Sequence, residues 1–239
     1  MSRLVLVRHG QASFLEPDYD KLSALGETQS HLLGEFWASR DVKFDHTATG
    51  PLSRQRNTAR IVAEAYRRAG VRFPEPIPVP EFNECDAESV LRDSLPKLIQ
   101  TDEQVRALNA AIGGSATPEE RSKNFQRLFE TVIGRWVGGE LPVPGVELWA
   151  EFRARVNRGI SAFMARCGHG ATAAVFTSGG PIAVAVERAL HLRPLDTLRI
   201  MWMSRNCSYS EFLFSGERFT LSAFNATPHL DGAKLVTYR

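Results

Sequence analysis

Two stretches of the chain are almost continuously apolar and then end abruptly in polar groups. Leu4 to Val7 runs into Arg8, His9, Gly10 and Gln11, and Ala171 to Thr177 runs into Ser178, Gly179, Gly180 and Pro181. Continuous rather than alternating hydrophobicity predicts strands covered on both faces, as in a parallel sheet. Other segments repeat with helical spacing. Leu22, Leu25, Leu32, Leu33 and Phe36 predict an amphipathic helix over 23–39. A short strand, Phe44 to Thr49, leads through Gly50 and Pro51 into a second helix starting near Leu52, with Ala59, Ile61, Val62, Ala65 and Tyr66 as its apolar positions. A long helix is expected from Glu147 to Cys167, and another runs from Pro181 through His191. Ser208–Phe214 and Phe219–Phe224, separated by Ser215-Gly216-Glu217-Arg218, predict a hairpin at the sheet edge.

Between these halves the pattern changes. Residues 74–80 hold four prolines, a stiff connector unable to form a helix or a central strand. Beyond it three helices are expected: Val90 to Ile99, Asp102 to Ile112, and one opened by Thr117-Pro118-Glu119-Glu120, which combines an N-cap, a first-turn proline and a capping-box glutamate. Phe125, Leu128, Phe129, Val132, Ile133 and Trp136 then form one stripe, the signature of core packing. The expected organisation is a single α/β domain over residues 1–239, with a helical cap inserted at about 86–144.

Composition narrows the function classes. A formal net charge of +2, from 29 basic and 27 acidic residues, argues against a dedicated binder of nucleic acid or of membrane surfaces. No run of about 18 apolar residues is available to span a bilayer. Arg8 and His9 also cut the first apolar stretch too early for a signal peptide. Cys85, Cys167 and Cys207 are odd in number and far apart, so free thiols in a reducing cytoplasm are expected, with neither disulfide nor zinc site. No feature sets an oligomeric state.

Candidate chemistry gathers where open α/β sheets place their ligands, at strand carboxyl ends. Arg8 and His9 lie at one such end, and Ser178 and Gly179 at another, where glycines let a backbone approach an anion. The second helix carries Arg54, Arg56, Arg60, Arg67 and Arg68, which helical spacing cannot aim at one place. Arg54 differs because it lies in the first turn, where backbone N–H groups favour an anion. The loop from Phe14 to Asp20, with Glu16 and Asp18, is expected above the site, and the acids Glu81, Glu84 and Asp86 follow the proline connector.

These pieces, in this order, resemble the histidine phosphatase superfamily, the phosphoglycerate mutase-like proteins. Arg8-His9-Gly10-Gln11 is similar to its R-H-G-E/Q signature, and the segment with Leu22, Leu25, Gly26 and Gln29 to L-x-x-x-G-x-x-Q. Gly50-Pro51-Leu52-Ser53-Arg54 with Thr58-Ala59 resembles S-P-L-x-R-x-x-x-T-A, and Phe82-Asn83-Glu84 resembles L-x-E. Pro144-Gly145 with Glu147 resembles the P-G-G-E-S entry to the helix after the cap, and Asn225 to Leu230 resembles N-x-T-x-H-L.

The resemblance implies a three-layer α/β/α sandwich with a mostly parallel central sheet, and phosphomonoester hydrolysis through a phosphohistidine on a small phosphorylated substrate. It needs neither metal nor cofactor. His9 would be the nucleophile, Arg8 and Arg54 would clamp phosphate oxygens, and Glu84 would pass a proton to the leaving alkoxide, for which it must be protonated in the complex. Ser178 and Gly179 would complete the phosphate site, with Gln11 and His229 as further candidates. Specificity would lie in the cap and in the loop from Phe14 to Tyr19.

One departure matters. Where the family has S-H-G-G, this chain has Thr177-Ser178-Gly179-Gly180, so a second histidine is replaced by a shorter, uncharged serine. Loss of one such donor costs about 10²–10³ in rate in other enzymes. His169 lies at the far end of its strand, and His31 and His191 lie on helices, so none of them substitutes. A weak phospho-ligand binder and a mutase-type phosphotransferase remain alternatives. A serine hydrolase using Ser178, Asp196 and His229 is disfavoured because no G-x-S-x-G elbow surrounds Ser178.

Overall fold

The computed structural model describes residues 1–13 and 20–238; the loop from Phe14 to Tyr19, to which the sequence assigns specificity, lies outside the described residues. Among the described residues six strands form one sheet: β1 (Ser2–Arg8), β2 (His46–Thr49), β3 (Ile77–Pro78), β4 (Thr172–Thr177), β5 (Tyr209–Ser215) and β6 (Arg218–Ala226). Their spatial order is β3-β2-β4-β1-β5-β6. Pairings among β1, β2, β3 and β4 are parallel, and β5 and β6 add an antiparallel edge, so the sheet is mostly parallel. β3 arises inside the proline connector because it lies on the edge, where the missing N–H of Pro78 removes no ladder bond.

The continuous apolar runs have the expected cause. Val5 and Val7 face one side of the sheet and pack with Leu33 and Trp37 of α1 (Ala24–Ala38) and Val62 and Tyr66 of α2 (Ser53–Arg68). Leu4 and Leu6, offset by one residue, point to the other side and are fully buried. Each such side chain contributes roughly 1.5–3 kcal/mol. Two helices, α6 (Trp149–Cys167) and α7 (Gly179–Leu190), follow later in the chain, and α7 is buried from Gly179 through Glu187, hence its lack of a polar face. A helix that the sequence pattern does not predict, α8 (Pro194–Met203), starts at a proline in its first turn.

The chain divides into two compact units, residues 1–84 with 155–239, and residues 85–154. The second unit contains α3 (Ala87–Thr101), α4 (Glu103–Gly113) and α5 (Pro118–Val137). Its core is Val105, Leu128 and Val132, with Leu91, Leu95 and Leu98 packed against it. Thr117 accepts the Glu120 N–H at 3.1 Å, which satisfies one otherwise orphaned donor of α5, and the Glu120 carboxylate accepts the Ala116 N–H at 2.8 Å just before the cap. Arg135 ties α5 to Asp102 at the start of α4.

Two glycines bring the first strand and first helix together. A β-carbon on Gly10 would lie 2.3 Å from the Gly26 carbonyl oxygen, and one on Gly26 would lie 2.1 Å from that of Gln11. Both obstacles are backbone, so neither position accepts a side chain unless the segment next to His9 moves. The three cysteines are buried, Cys207 completely. No helix among the described residues is long and apolar enough to cross a membrane.

Candidate active site

The parallel register of β1 and β4 sets Arg8 opposite Thr177, and the His9 N–H donates to the Thr177 carbonyl at 2.9 Å. Two strand ends thus lie side by side, and the residues after them, His9 and Ser178, become neighbours. The next amide, Gly10 N–H, donates to Thr58 Oγ1 at 3.0 Å, which anchors the turn to α2. Gln11 belongs to the same scaffold: its N–H donates to Gln29 Oε1, and its Oε1 accepts the Ser23 hydroxyl, both at 2.9 Å.

His9 is 5% exposed and its ring state follows from its partners. Nδ1 lies 2.7 Å from the Gly10 carbonyl oxygen, which can only accept, so Nδ1 carries the proton. Nε2 therefore presents a lone pair, and Arg54 Nε–H donates to it at 3.1 Å. Burial first, then the charges of Arg54 and Arg8, hold this imidazole well below the ordinary histidine range. It is neutral across the physiological range.

Arg54 is held by a residue to which the sequence assigns no role. Asp20 Oδ1 accepts Arg54 Nη1 at 2.9 Å, and its Oδ2 accepts the Ser53 N–H at 2.7 Å. The start of α2, expected to favour an anion, thus holds the protein's own carboxylate. The same occurs at α7, where both Glu84 oxygens lie 3.1 Å from the Gly180 N–H. The strand-end turn at residues 178–181 thus turns its Gly180 N–H to Glu84.

The segment carrying Glu84 is fixed through its carbonyls. Phe82 C=O accepts from Thr177 Oγ1 at 2.8 Å and from Gln55 Nε2 at 3.3 Å, while Arg155 Nη1 donates to the carbonyls of Glu81 and Asn83. Arg8 Nη1 donates to the Ser204 carbonyl, and its Nε would lie 3.8 Å from a β-carbon on Gly179, which sets the Arg8 guanidinium against the Ser178-Gly179 turn. Arg8, His9, Arg54, Glu84, Ser178 and Gly179 are thus brought to the carboxyl ends of β1 and β4. Among the described residues, no group of three or more His, Cys, Asp or Glu is placed to hold a metal ion.

His229 goes elsewhere. Its ring lies 6.1 Å from that of Phe36 and is stacked 6.4 Å from that of Tyr209. Burial pushes it down to about 4, the Cys207 backbone acting weakly in the opposite sense. Since the unfolded histidine titrates near 6.5, its neutral form stabilises the fold fully above that pH. As pH falls from 6.5 to 4 that contribution disappears, a loss of about 3 kcal/mol at about 1.4 kcal/mol per pH unit. Denaturant unfolding between these pH values is expected to show a shallower pH slope in His229→Phe than in the parent, and an unchanged slope would place the acid sensitivity elsewhere.

Asp20, Gln55, Thr58 and Arg155 lacked an assigned role in the sequence. Thr58 stands in the motif that contains Arg54, but nothing in the spacing separates Asp20 from Glu16 and Asp18, or Gln55 from the polar face of α2.

Solved structures share this architecture at low identity. A phosphoserine phosphatase of Entamoeba histolytica, in complex with phosphoserine, aligns with a TM-score of 0.63 and 16% identity over 96% of this chain and 100% of its own. A putative alpha-ribazole-5'-P phosphatase of Escherichia coli gives 0.63 and 19%, over 95% and 98%. A phosphoglycerate mutase of Bacillus anthracis gives 0.62 and 16%, over 95% and 94%. No curated protein sequence matches the chain. The histidine phosphatase superfamily (branch 1) model matches residues 4–92 and 90–227, from the first strand to the last. The chain is a member of the histidine phosphatase superfamily.

Proposed function

We propose that the protein hydrolyses a small phosphomonoester through a phosphohistidine at His9. The observation that carries this reading is the fixed tautomer of His9: a buried, neutral imidazole with its Nε2 lone pair against Arg54. Binding an anion needs no such lone pair, since a cation or an N–H would serve better.

In the first step the His9 Nε2 lone pair attacks phosphorus. The ester P–O bond breaks, its electron pair leaves with the alkoxide oxygen, and Glu84 supplies the proton that oxygen takes up. Arg8 and Arg54 neutralise the nonbridging oxygens, and Arg54 shifts its Nε donor from His9 to the phosphoryl group as the lone pair is used. In the second step water attacks phosphorus and gives its proton to the Glu84 carboxylate. The P–N bond then breaks and its electrons return to Nε2. Positioning and charge neutralisation are most of what the protein contributes. Membership of the superfamily and the phosphatase and mutase structures sharing the fold support this class of chemistry. Residues 86–144 and the loop from Phe14 to Tyr19 are where substrate choice is proposed to reside.

Rapid quench with a panel of phosphorylated metabolites is expected to trap an acid-labile, alkali-stable phosphoprotein. Its absence with every substrate that the protein binds would reduce the protein to a phospho-ligand binder.

A further inference from the structure

Successive residues of the first turn of α2 meet the two strand ends. Arg54 donates to His9, and Gln55 donates through Nε2 to Ser178 Oγ at 2.8 Å. Gln55 and Ser178 are both fully buried. The carboxamide cannot be turned round, because Oε1 accepts the Leu52 N–H at 3.0 Å while Nε2 faces the Phe82 carbonyl, which only accepts. Ser178 Oγ is therefore an acceptor towards Gln55, and among the described residues nothing accepts the serine's own proton.

Three positions are coupled here. A β-carbon on Gly50 would lie 2.2 Å from Gln55 Oε1, so the glycine, found where the resembled motif has serine, makes room for the amide. The amide in turn lies against Ser178, where the motif has histidine. An imidazole built at position 178 would compete with Gln55 for the same space.

We infer that Gln55 is a positioning residue: its amide holds the Ser178 hydroxyl so that the serine proton is donated to the phosphoryl group at His9. This rests on the phosphoryl-transfer reading above. Gln55 and Ser178 together then form one neutral donor unit opposite the arginines, and position 178 cannot be returned to histidine without also changing residue 55.

The test is a double-mutant cycle on p-nitrophenyl phosphate, with phosphoprotein trapping and thermal melts of every variant. Gln55→Ala and Ser178→Ala are each expected to lower kcat by about 10- to 100-fold, towards the lower end of what one transition-state donor contributes, with KM little changed. Gln55→Ala/Ser178→Ala is expected to match Ser178→Ala alone, because Gln55 acts through the serine. Ser178→His alone is expected to melt earlier than the parent and turn over more slowly, whereas Gln55→Ala/Ser178→His regains activity over Gln55→Ala. Losses that multiply in the double variant, or a stable and active Ser178→His single variant, would overturn the inference while leaving His9 chemistry intact. A parent protein that forms no phosphohistidine would overturn the phosphoryl-transfer reading and this inference with it.

Discussion

Replacing His9 with alanine is expected to abolish the trapped phosphoprotein and to lower turnover of p-nitrophenyl phosphate by on the order of 10⁴-fold or more, the scale seen when other covalent enzymes lose their nucleophile. The ring's surroundings prepare it for attack. The Gly10 carbonyl takes the Nδ1 proton, Arg54 faces Nε2, and burial with two guanidinium groups keeps the imidazole neutral. Inorganic phosphate, followed by calorimetry, should still bind to the variant because Arg8 and Arg54 remain. Unchanged turnover in His9→Ala would refute the nucleophile assignment, and loss of phosphate binding together with turnover would show that His9 shapes the pocket instead.

The next largest effect is expected at Arg54. Its guanidinium joins three parts at once: Nε to His9, Nη1 to Asp20, and through Asp20 the N-terminal turn of α2. Arg54→Ala is expected to lower kcat by about 10³-fold or more, the range for an arginine that neutralises a phosphoryl transition state. Arg54→Lys should restore only part of this, since an ammonium is a point charge and cannot address His9 and Asp20 through one planar fork. A pH signature should accompany the loss. Arg54 is the second cause, after burial, of the lowered His9 pKa. Removing it raises that pKa, so the acid limb of the rate profile moves towards neutral pH. A lysine variant with parental kcat and an unmoved acid limb would refute the assignment.

What was legible in the sequence follows from which forces act locally. β1 and β4 were readable because burial on both faces leaves an uninterrupted apolar run, and α1 because one stripe faces the sheet. The strand-end residues were readable because a parallel sheet delivers its carboxyl ends to one side. α8 was not, since Leu195, Leu198, Ile200, Met201, Trp202 and Met203 are too dense to define a face, and Leu195 and Met203 are in fact exposed. The proline-rich connector concealed β3 because edge pairing tolerates a residue that a central strand would reject.

The polar interior was the least readable part. Asp20 reaches Arg54 across 34 residues and Gln55 reaches Ser178 across 123, and no local period encodes such pairs. Serine at position 178 reads from sequence as a simple loss of a histidine. With Gly50 and Gln55 beside it, the same serine is one part of a repacked, fully buried group.

The buried thiols give the protein an internal gauge of its own opening. Burial pushes Cys167 to about 11 and Cys207 to about 12, whereas an unfolded cysteine ionises near 8.5. At neutral pH each is almost inert to an alkylating reagent while enclosed and becomes reactive once released. Cys207 is the more informative of the two, because its N–H donates to the His9 carbonyl at 3.0 Å. Its rate of alkylation therefore records how often the strand end bearing the imidazole comes apart, a breathing frequency for the reactive centre readable by mass spectrometry in the unmodified chain.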